Sequence, residues 1–267
     1  MSREVLGVPA SWDEVASAYA LDVMPTFAFY AEEALRLVPL DHLSHILDIA
    51  SGPGTLAFCA APRVAHVSAI DFSLKMIEEL RAHAARNKIS NVKAEVMDAQ
   101  SLAFSASTFD AAFCLFAITF FPDRGRALGE IFRVVRPGGR VLVATWGPME
   151  RRGVVRLVAE AMAEAFPQIP PTPKGELEDV ASCIQELNAA GFHEVATHAF
   201  TASLRIESAE HCLDMMERSG AGFSDLRRGF GAAWPHARVR LLNAIRRRVP
   251  ERGTETSAEA LLTIGVR

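Results

Sequence analysis

An apolar run, His45 to Ala50, passes without a polar break into Ser51-Gly52-Pro53-Gly54-Thr55 and then into the helical pattern Leu56 to Ala61. Strand, glycine turn and helix in that order open a βαβ unit. Glycine belongs where φ turns positive or where a ligand approaches the backbone. The alternation continues. Ala65 to Ile70, Val92 to Met97, Phe109 to Leu115 and Arg140 to Trp146 have strand composition. Between them, Ser73 to Asn87 and Arg124 to Arg136 carry apolar residues at helical spacing, the first with Ser73 as N-cap. Pro137, Gly138 and Gly139 stop the latter helix. Alternating strands and helices predict an α/β fold with a mostly parallel sheet and helices on both faces.

The remaining chain is less regular. Pro148, Pro167, Pro170, Pro171 and Pro173 bracket a helix over Gly153 to Phe166, with a linker or insertion beside it, and Leu177 to Ala190 reads as a helix closed by Gly191. Glu194 to Ile206 and Leu261 to Val266 would complete a seven-stranded sheet. Ser208 to Arg252 reads as helical, with Val239, Leu242, Ile245 and Val249 on one face of its last helix. At 267 residues the chain suits one domain. We read residues 1–40 as a helical cover, 41–147 as a cofactor-binding core, and 148–267 as a variable half whose helices near 208–252 form a lid.

Composition narrows the function classes. A net charge of -4 disfavours a nucleic-acid partner, and no apolar run is long enough for a membrane span. The N-terminus lacks the long apolar stretch of a signal peptide, so a cytoplasmic location is expected. Four isolated cysteines, Cys59, Cys114, Cys183 and Cys212, suggest buried thiols rather than a zinc site or disulfides, and no metal is invoked. A small-molecule partner fits best. The arginines from Arg227 to Arg252 read as a solvated helix face, with an acidic substrate or a carrier-protein partner as the alternative. A homo-oligomer stays open.

Gly52-Pro53-Gly54-Thr55-Leu56-Ala57 fits the dinucleotide fingerprint GxGxxA, and Asp71 lies at a suitable distance to hold a ribose, so an NAD(P)-dependent oxidoreductase must be weighed. Asp48 separates the readings. Its charge, at the end of the first strand, would repel a pyrophosphate, whereas S-adenosylmethionine offers a sulfonium and an ammonium. Asp71 and Asp98 follow the second and third strands, where they could accept from ribose hydroxyls and from an adenine amino group. Each acid could alternatively cap a turn or helix. Three acids at three successive strand ends are harder to explain that way.

In LDIASGPGT, AIDFSLKMI, VMDAQSLAFSASTFD, CLFAITFFPD and EIFRVVRPGGRVLVATW the chain resembles class I methyltransferases, particularly the small-molecule branch that includes ubiquinone and menaquinone biosynthetic enzymes. The resemblance covers roughly residues 10 to 147 and implies a Rossmann-like sheet and S-adenosyl-L-methionine as cofactor, leaving S-adenosyl-L-homocysteine as product. It places Asp48, Gly52 and Gly54 at the methionine end, Ala50 among the cofactor-binding residues, Asp71 on the ribose, Phe72 and Met76 on the adenine face, and Asp98 with Ala99 at its edge. Leu115 and Phe116 take the position beside the transferred methyl group. Trp12 and Tyr19 match an N-terminal helix that covers the cofactor. Phe116-Ala117-Ile118-Thr119-Phe120-Phe121 departs from the glycine or polar residues common there, which argues for an apolar acceptor pocket. No catalytic residue is assigned, because methyl transfer by in-line displacement needs mainly positioning and exclusion of water. A catalytically silent cofactor-binding protein is the other alternative.

Overall fold

In a computed structural model, which describes residues 6–169 and 176–267, seven strands form one sheet in the order β3-β2-β1-β4-β5-β7-β6. They are β1 (His45–Ile49), β2 (His66–Asp71), β3 (Val92–Val96), β4 (Phe109–Leu115), β5 (Val135–Trp146), β6 (His193–Ile206) and β7 (Thr254–Val266). The first five pair in parallel, while β7 runs antiparallel between β5 and β6. The chain leaves β1 for β2 and β3 on one side, then returns for β4 and β5 on the other. That reversal opens a crevice beyond the carboxyl ends of β1 and its neighbours, where open α/β sheets bind ligands.

The helices follow from apolar periodicity. Among the described residues the cover helices α1 (Pro9–Asp13), α2 (Ala16–Asp22) and α3 (Met24–Leu37) precede α4 (Thr55–Ala60) and α5 (Leu74–Arg86). Leu56, Ala57 and Ala60 of α4, Ile77 and Leu80 of α5, and Tyr30, Ala31 and Ala34 of α3 pack with Ile46, Val67 and Phe113 on one sheet face. On the other face, α6 (Arg124–Val134) and α8 (Val180–Ala189) bring Leu128, Ile131, Cys183 and Leu187 onto Leu47, Ile49, Ala112 and Cys114. Ser73 caps α5, its hydroxyl accepting from the Met76 backbone N–H at 3.1 Å.

Several boundaries differ from the sequence reading. The helix after the fourth strand ends at Val134, and β5 begins at once, with Pro137-Gly138-Gly139 lying in an irregular stretch of the strand rather than ahead of it. Gly139 is required there, since a Cβ would stand 2.7 Å from Val135 and 2.8 Å from the Asp110 carbonyl oxygen. β7 starts at Thr254, not Leu261, because its polar half pairs along β6, with Thr254 opposite Ile206. Pro170, Pro171 and Pro173 of the expected linker lie outside the described residues.

The segment between β6 and β7 forms α9 (Ala209–Ser219), α10 (Ala221–Phe230) and α11 (Trp234–Arg246), which pack with α7 (Gly153–Ala165). One face expected here is wrong at Val239, which is 57% exposed; the buried face of α11 is Trp234, Ala237, Leu241, Leu242 and Ile245, roughly 60° round the helix. Arginines along this region meet acids of the same chain. Arg238 pairs with Asp214 and Glu217, Arg246 with Glu210, and Arg247 and Arg248 with Glu164. Arg218 with Asp22 and Arg228 with Glu14 tie this helical layer to α1 and α2. Pairs this near the surface add little stability and are screened by salt.

Candidate cofactor site

At the end of β1 the backbone turns through Ala50 (φ 52), Gly52 (φ 54) and Gly54 (φ 100), three left-handed residues within five. Gly54 begins α4, and a Cβ on it would lie 2.7 Å from Phe58 and 2.8 Å from Leu80. At Gly52 a Cβ would meet nothing within 4 Å. The two glycines therefore do different work: Gly54 lets α4 pack, and Gly52 leaves open space beside the loop. Gly54→Ala is expected to destabilise the fold by about 2–4 kcal/mol, combining left-handed strain with overpacking. Gly52→Ala should cost about 1–2 kcal/mol of stability from strain alone while weakening cofactor binding. Denaturant unfolding beside a titration with S-adenosylhomocysteine separates the two.

Asp48 lies on the α4 side of β1 and is 2% exposed. Its carboxylate accepts from the Ala57 backbone N–H at 3.1 Å, so it caps the first turns of α4 as well as facing the crevice. Burial, with the charge of Asp71 nearby, pushes its pKa up to about 8 against that one hydrogen bond. Asp71, 5% exposed at the end of β2, accepts from the N–H of Gly52 at 2.8 Å and of Ser73 at 2.9 Å. Its pKa rises to about 6, again chiefly through burial. The described residues give neither acid an ion pair with Lys, Arg or His.

The loop between them is held rigidly. The Ser51 N–H donates to the Ile70 carbonyl at 2.9 Å, and the Ser51 carbonyl accepts from the Gly54 N–H at 3.0 Å. Ser51 Oγ, however, is buried without any hydrogen-bond partner, the one such side-chain atom among the described residues. Nothing in the sequence singled Ser51 out, because its orphaned state depends on where the loop is pinned.

The structure brings most of the other expected residues to the same strand ends. Tyr19 of α2 sits close enough to Asp71 for that charge, added to burial, to raise its phenol above the usual range. Trp12 makes an edge contact with Tyr19 and a tilted one with Phe120. Phe72 is half-buried, whereas Met76 is wholly buried with Leu6, Val15, Ala16 and Ala221 under the N-terminal cover. Asp98 is exposed and accepts from the Gln100 N–H at 2.8 Å, beside buried Ala99. Leu115 ends β4, half-buried, and Phe116 follows with φ 61, a left-handed conformation unusual for an aromatic residue. Phe116 stacks on Trp146 at 4.1 Å, and Phe27, Tyr30 and Phe200 complete an aromatic cluster drawn from α3, β5, β6 and the β4 end. His193, His198, His211 and His236 are all exposed.

Residues 46–139 match the family model described as a methyltransferase domain. The chain is 30% identical over 225 residues to demethylmenaquinone methyltransferase of Clavibacter sepedonicus, covering 76% of this chain and 89% of that protein. The chain belongs to the class I S-adenosylmethionine-dependent methyltransferases. Identity is also 30% over 218 residues to nocamycin O-methyltransferase of Saccharothrix syringae, 74% of this chain and 77% of that one. The YcgJ protein of Bacillus subtilis shares the fold with a TM-score of 0.59 at 17% identity, over 90% of this chain and 98% of its own. The protein is thus an enzyme using S-adenosylmethionine, and the nicotinamide alternative is set aside. The residues present suit that cofactor. Two buried carboxylates without a basic side chain against them match a cationic ligand, and an unpartnered hydroxyl awaits a polar one. When bound, S-adenosylmethionine supplies an electrophilic methyl group on a positive sulfonium.

Proposed function

We propose that this methyltransferase acts on a small, largely apolar and planar molecule, seated against the aromatic cluster at the ends of β4 and β5. The observation that carries this is the aromatic cluster at the strand ends, Phe116 stacked on Trp146 with Phe27 5.0 and 5.7 Å from them. Flat ring faces favour a flat acceptor, and a dry pocket strengthens every interaction around a charged methyl donor. The relatives above are named for a demethylmenaquinone and for nocamycin, which supports an organic acceptor of this kind and leaves the methylated atom open. Residues 41–147 would bind the cofactor through Asp48, Ala50, Gly52, Gly54 and Asp71. Phe72, Met76, Asp98 and Ala99 would surround the adenine, Leu115 and Phe116 would flank the methyl group, and Tyr19 would close over the site.

No described helix is long and apolar enough to cross a membrane, and we propose a cytoplasmic enzyme. The basic side chains of the β6–β7 insertion are largely engaged in ion pairs within the chain, which favours a free small molecule over a carrier-bound one. Met216, Phe223 and Trp234 pack within the helical layer itself. They therefore support the lid's own core, and substrate choice falls to Phe27, Phe116 and Trp146.

Incubation with isotope-labelled S-adenosylmethionine and a metabolite extract should move label into a product extractable into organic solvent. Label recovered only in water-soluble or macromolecular fractions would contradict the proposal. With the acceptor in hand, Trp146→Ala is expected to raise its KM at least tenfold while leaving S-adenosylhomocysteine affinity within threefold, about 0.7 kcal/mol. Parallel loss of both ligands and of thermal stability would mean that the cluster only packs the sheet.

A further inference from the structure

Between the cover and the helical layer of the β6–β7 insertion lies a cleft of about 760 Å³, within the size range of small-molecule sites. Glu14 and Ala18 stand on the cover side, and α9 and α10 supply the rest of the lining. Among the described residues Ala18 is the one apolar side chain there, so the cleft suits a polar ligand and not the flat acceptor proposed above. The two helices differ in charge. On α9, Asp214 and Glu217 share a single guanidinium, that of Arg238, while Arg218 is held by Asp22. That side carries more carboxylate than cation. On α10, Arg228 is held by Glu14 and Asp225, whereas Arg227 makes no ion pair with any described residue. One turn before Arg227, Ser224 also lines the cleft, and only 7% of it is exposed. Its hydroxyl makes no hydrogen bond to a described residue, although hydroxyls so placed are ordinarily satisfied. Positions 224 and 227 share a helix face, so an oxyanion in the cleft would meet a hydroxyl donor and an unpaired guanidinium together.

We propose that this cleft is a second ligand site, taking a small zwitterion of the amino-acid kind. Ser224 and Arg227 receive its oxyanion, and Asp214 with Glu217 its ammonium. A simple anion would be drawn to Arg227 but repelled by the acids of α9, and a simple cation would meet the reverse. A molecule with both charges is favoured by both sides. The site also lies where two moving parts would meet. Ala18 precedes Tyr19 of the cover, and Ala221, one turn before Ser224, packs with Met76 beneath that cover. A ligand here would bridge the cover and the helical layer from outside the residues assigned to the cofactor.

The probes are 4-aminobutanoate and 6-aminohexanoate, with hexanoate and hexylammonium as single-charge counterparts. They are titrated at constant ionic strength and followed by NMR, with S-adenosylhomocysteine present to fill the cofactor site. At least one zwitterion should bind saturably, about fivefold or more tighter than either counterpart, the scale of an ion pair open to solvent. Arg227→Gln, Ser224→Ala and Asp214→Asn should each weaken it about fivefold, whereas Arg36→Gln, at an exposed arginine of α3, should not. Neither Ser224 nor Arg227 has a side-chain partner to lose, so those two variants should melt as the unaltered protein does and keep its S-adenosylhomocysteine affinity. Absence of saturable binding would overturn the proposal. Hexanoate binding as tightly as the zwitterions, with Asp214→Asn without effect, would make the cleft a plain anion site and overturn the ligand class. An equal loss in Arg36→Gln would reduce the binding to general surface charge and overturn the site.

Discussion

Asp48→Asn is expected to weaken S-adenosylhomocysteine binding by about 30- to 1,000-fold, or 2–4 kcal/mol, the range found when one member of a buried charge pair is lost. The same change should stabilise the cofactor-free protein at pH 8. An isosteric amide keeps an oxygen for the Ala57 N–H and removes the need to bury a charge. The direction with pH follows from the raised pKa. An acid that titrates near 8 when folded and near 4 when unfolded holds a proton in the folded state that the unfolded chain has already lost. Cofactor-free stability therefore falls as pH rises from about 4 to about 8, by a few kcal/mol, and levels off above. In Asp48→Asn that contribution to the slope disappears, and at pH 4 the two proteins should differ little. The neighbours facing Asp48 are the acid Asp71 and the thiols Cys59 and Cys114, none of them a cation. Melts from pH 4 to 9, with titrations at both ends, check stability and affinity together. Unchanged affinity in a folded Asp48→Asn protein would mean that Asp48 serves only as a helix cap.

Asp71→Ala is expected to be the second large change, and to act on two properties at once. Loss of charge-assisted hydrogen bonds to a ribose costs about 1–3 kcal/mol of cofactor affinity. From the sequence, little effect on folding would be expected. The structure shows otherwise, because the same carboxylate accepts from the N–H of Gly52 and of Ser73, joining the glycine turn to the start of α5. Leaving both donors unpaired should lower stability by a further 1–3 kcal/mol or so. Asp71→Asn, which keeps one acceptor oxygen, should be milder on both counts. With the Asp71 pKa near 6, the contribution of its charge to binding should also decline as pH falls through that value. A calorimetric titration and a denaturant melt on each variant suffice. An Asp71→Ala protein with full cofactor affinity would remove the ribose assignment.

Much of the fold is legible because it depends on local signals. Short runs closed by glycine or aspartate mark β1 to β3, and Ser73 marks the start of α5 by its own chemistry. The three strand-end acids are visible for the same reason. Features that depend on distant partners are not. The polar half of β7 looks like a loop until β6 is placed beside it, and the exposure of Val239 depends on which way α11 rolls against α7 and α9. Phe27, Tyr30, Phe116, Trp146 and Phe200 span 174 positions of the chain, and only the sheet order brings them together. Ser51 and the brace from Asp71 to Gly52 are invisible because both depend on the exact turn the backbone takes after Asp48.

The central claim is that Asp48 meets the positive end of the cofactor as a buried carboxylate. Titrating S-adenosylhomocysteine into the protein at pH 6.5, in buffers of differing ionisation enthalpy, tests it most directly. In the unbound protein Asp48 should hold its proton at that pH, and pairing with the ligand's ammonium should expel it. The observed heat should then vary with buffer in proportion to release of close to one proton, and Asp48→Asn should show no such release. Binding without proton release, at an affinity that Asp48→Asn leaves unchanged, would contradict the claim.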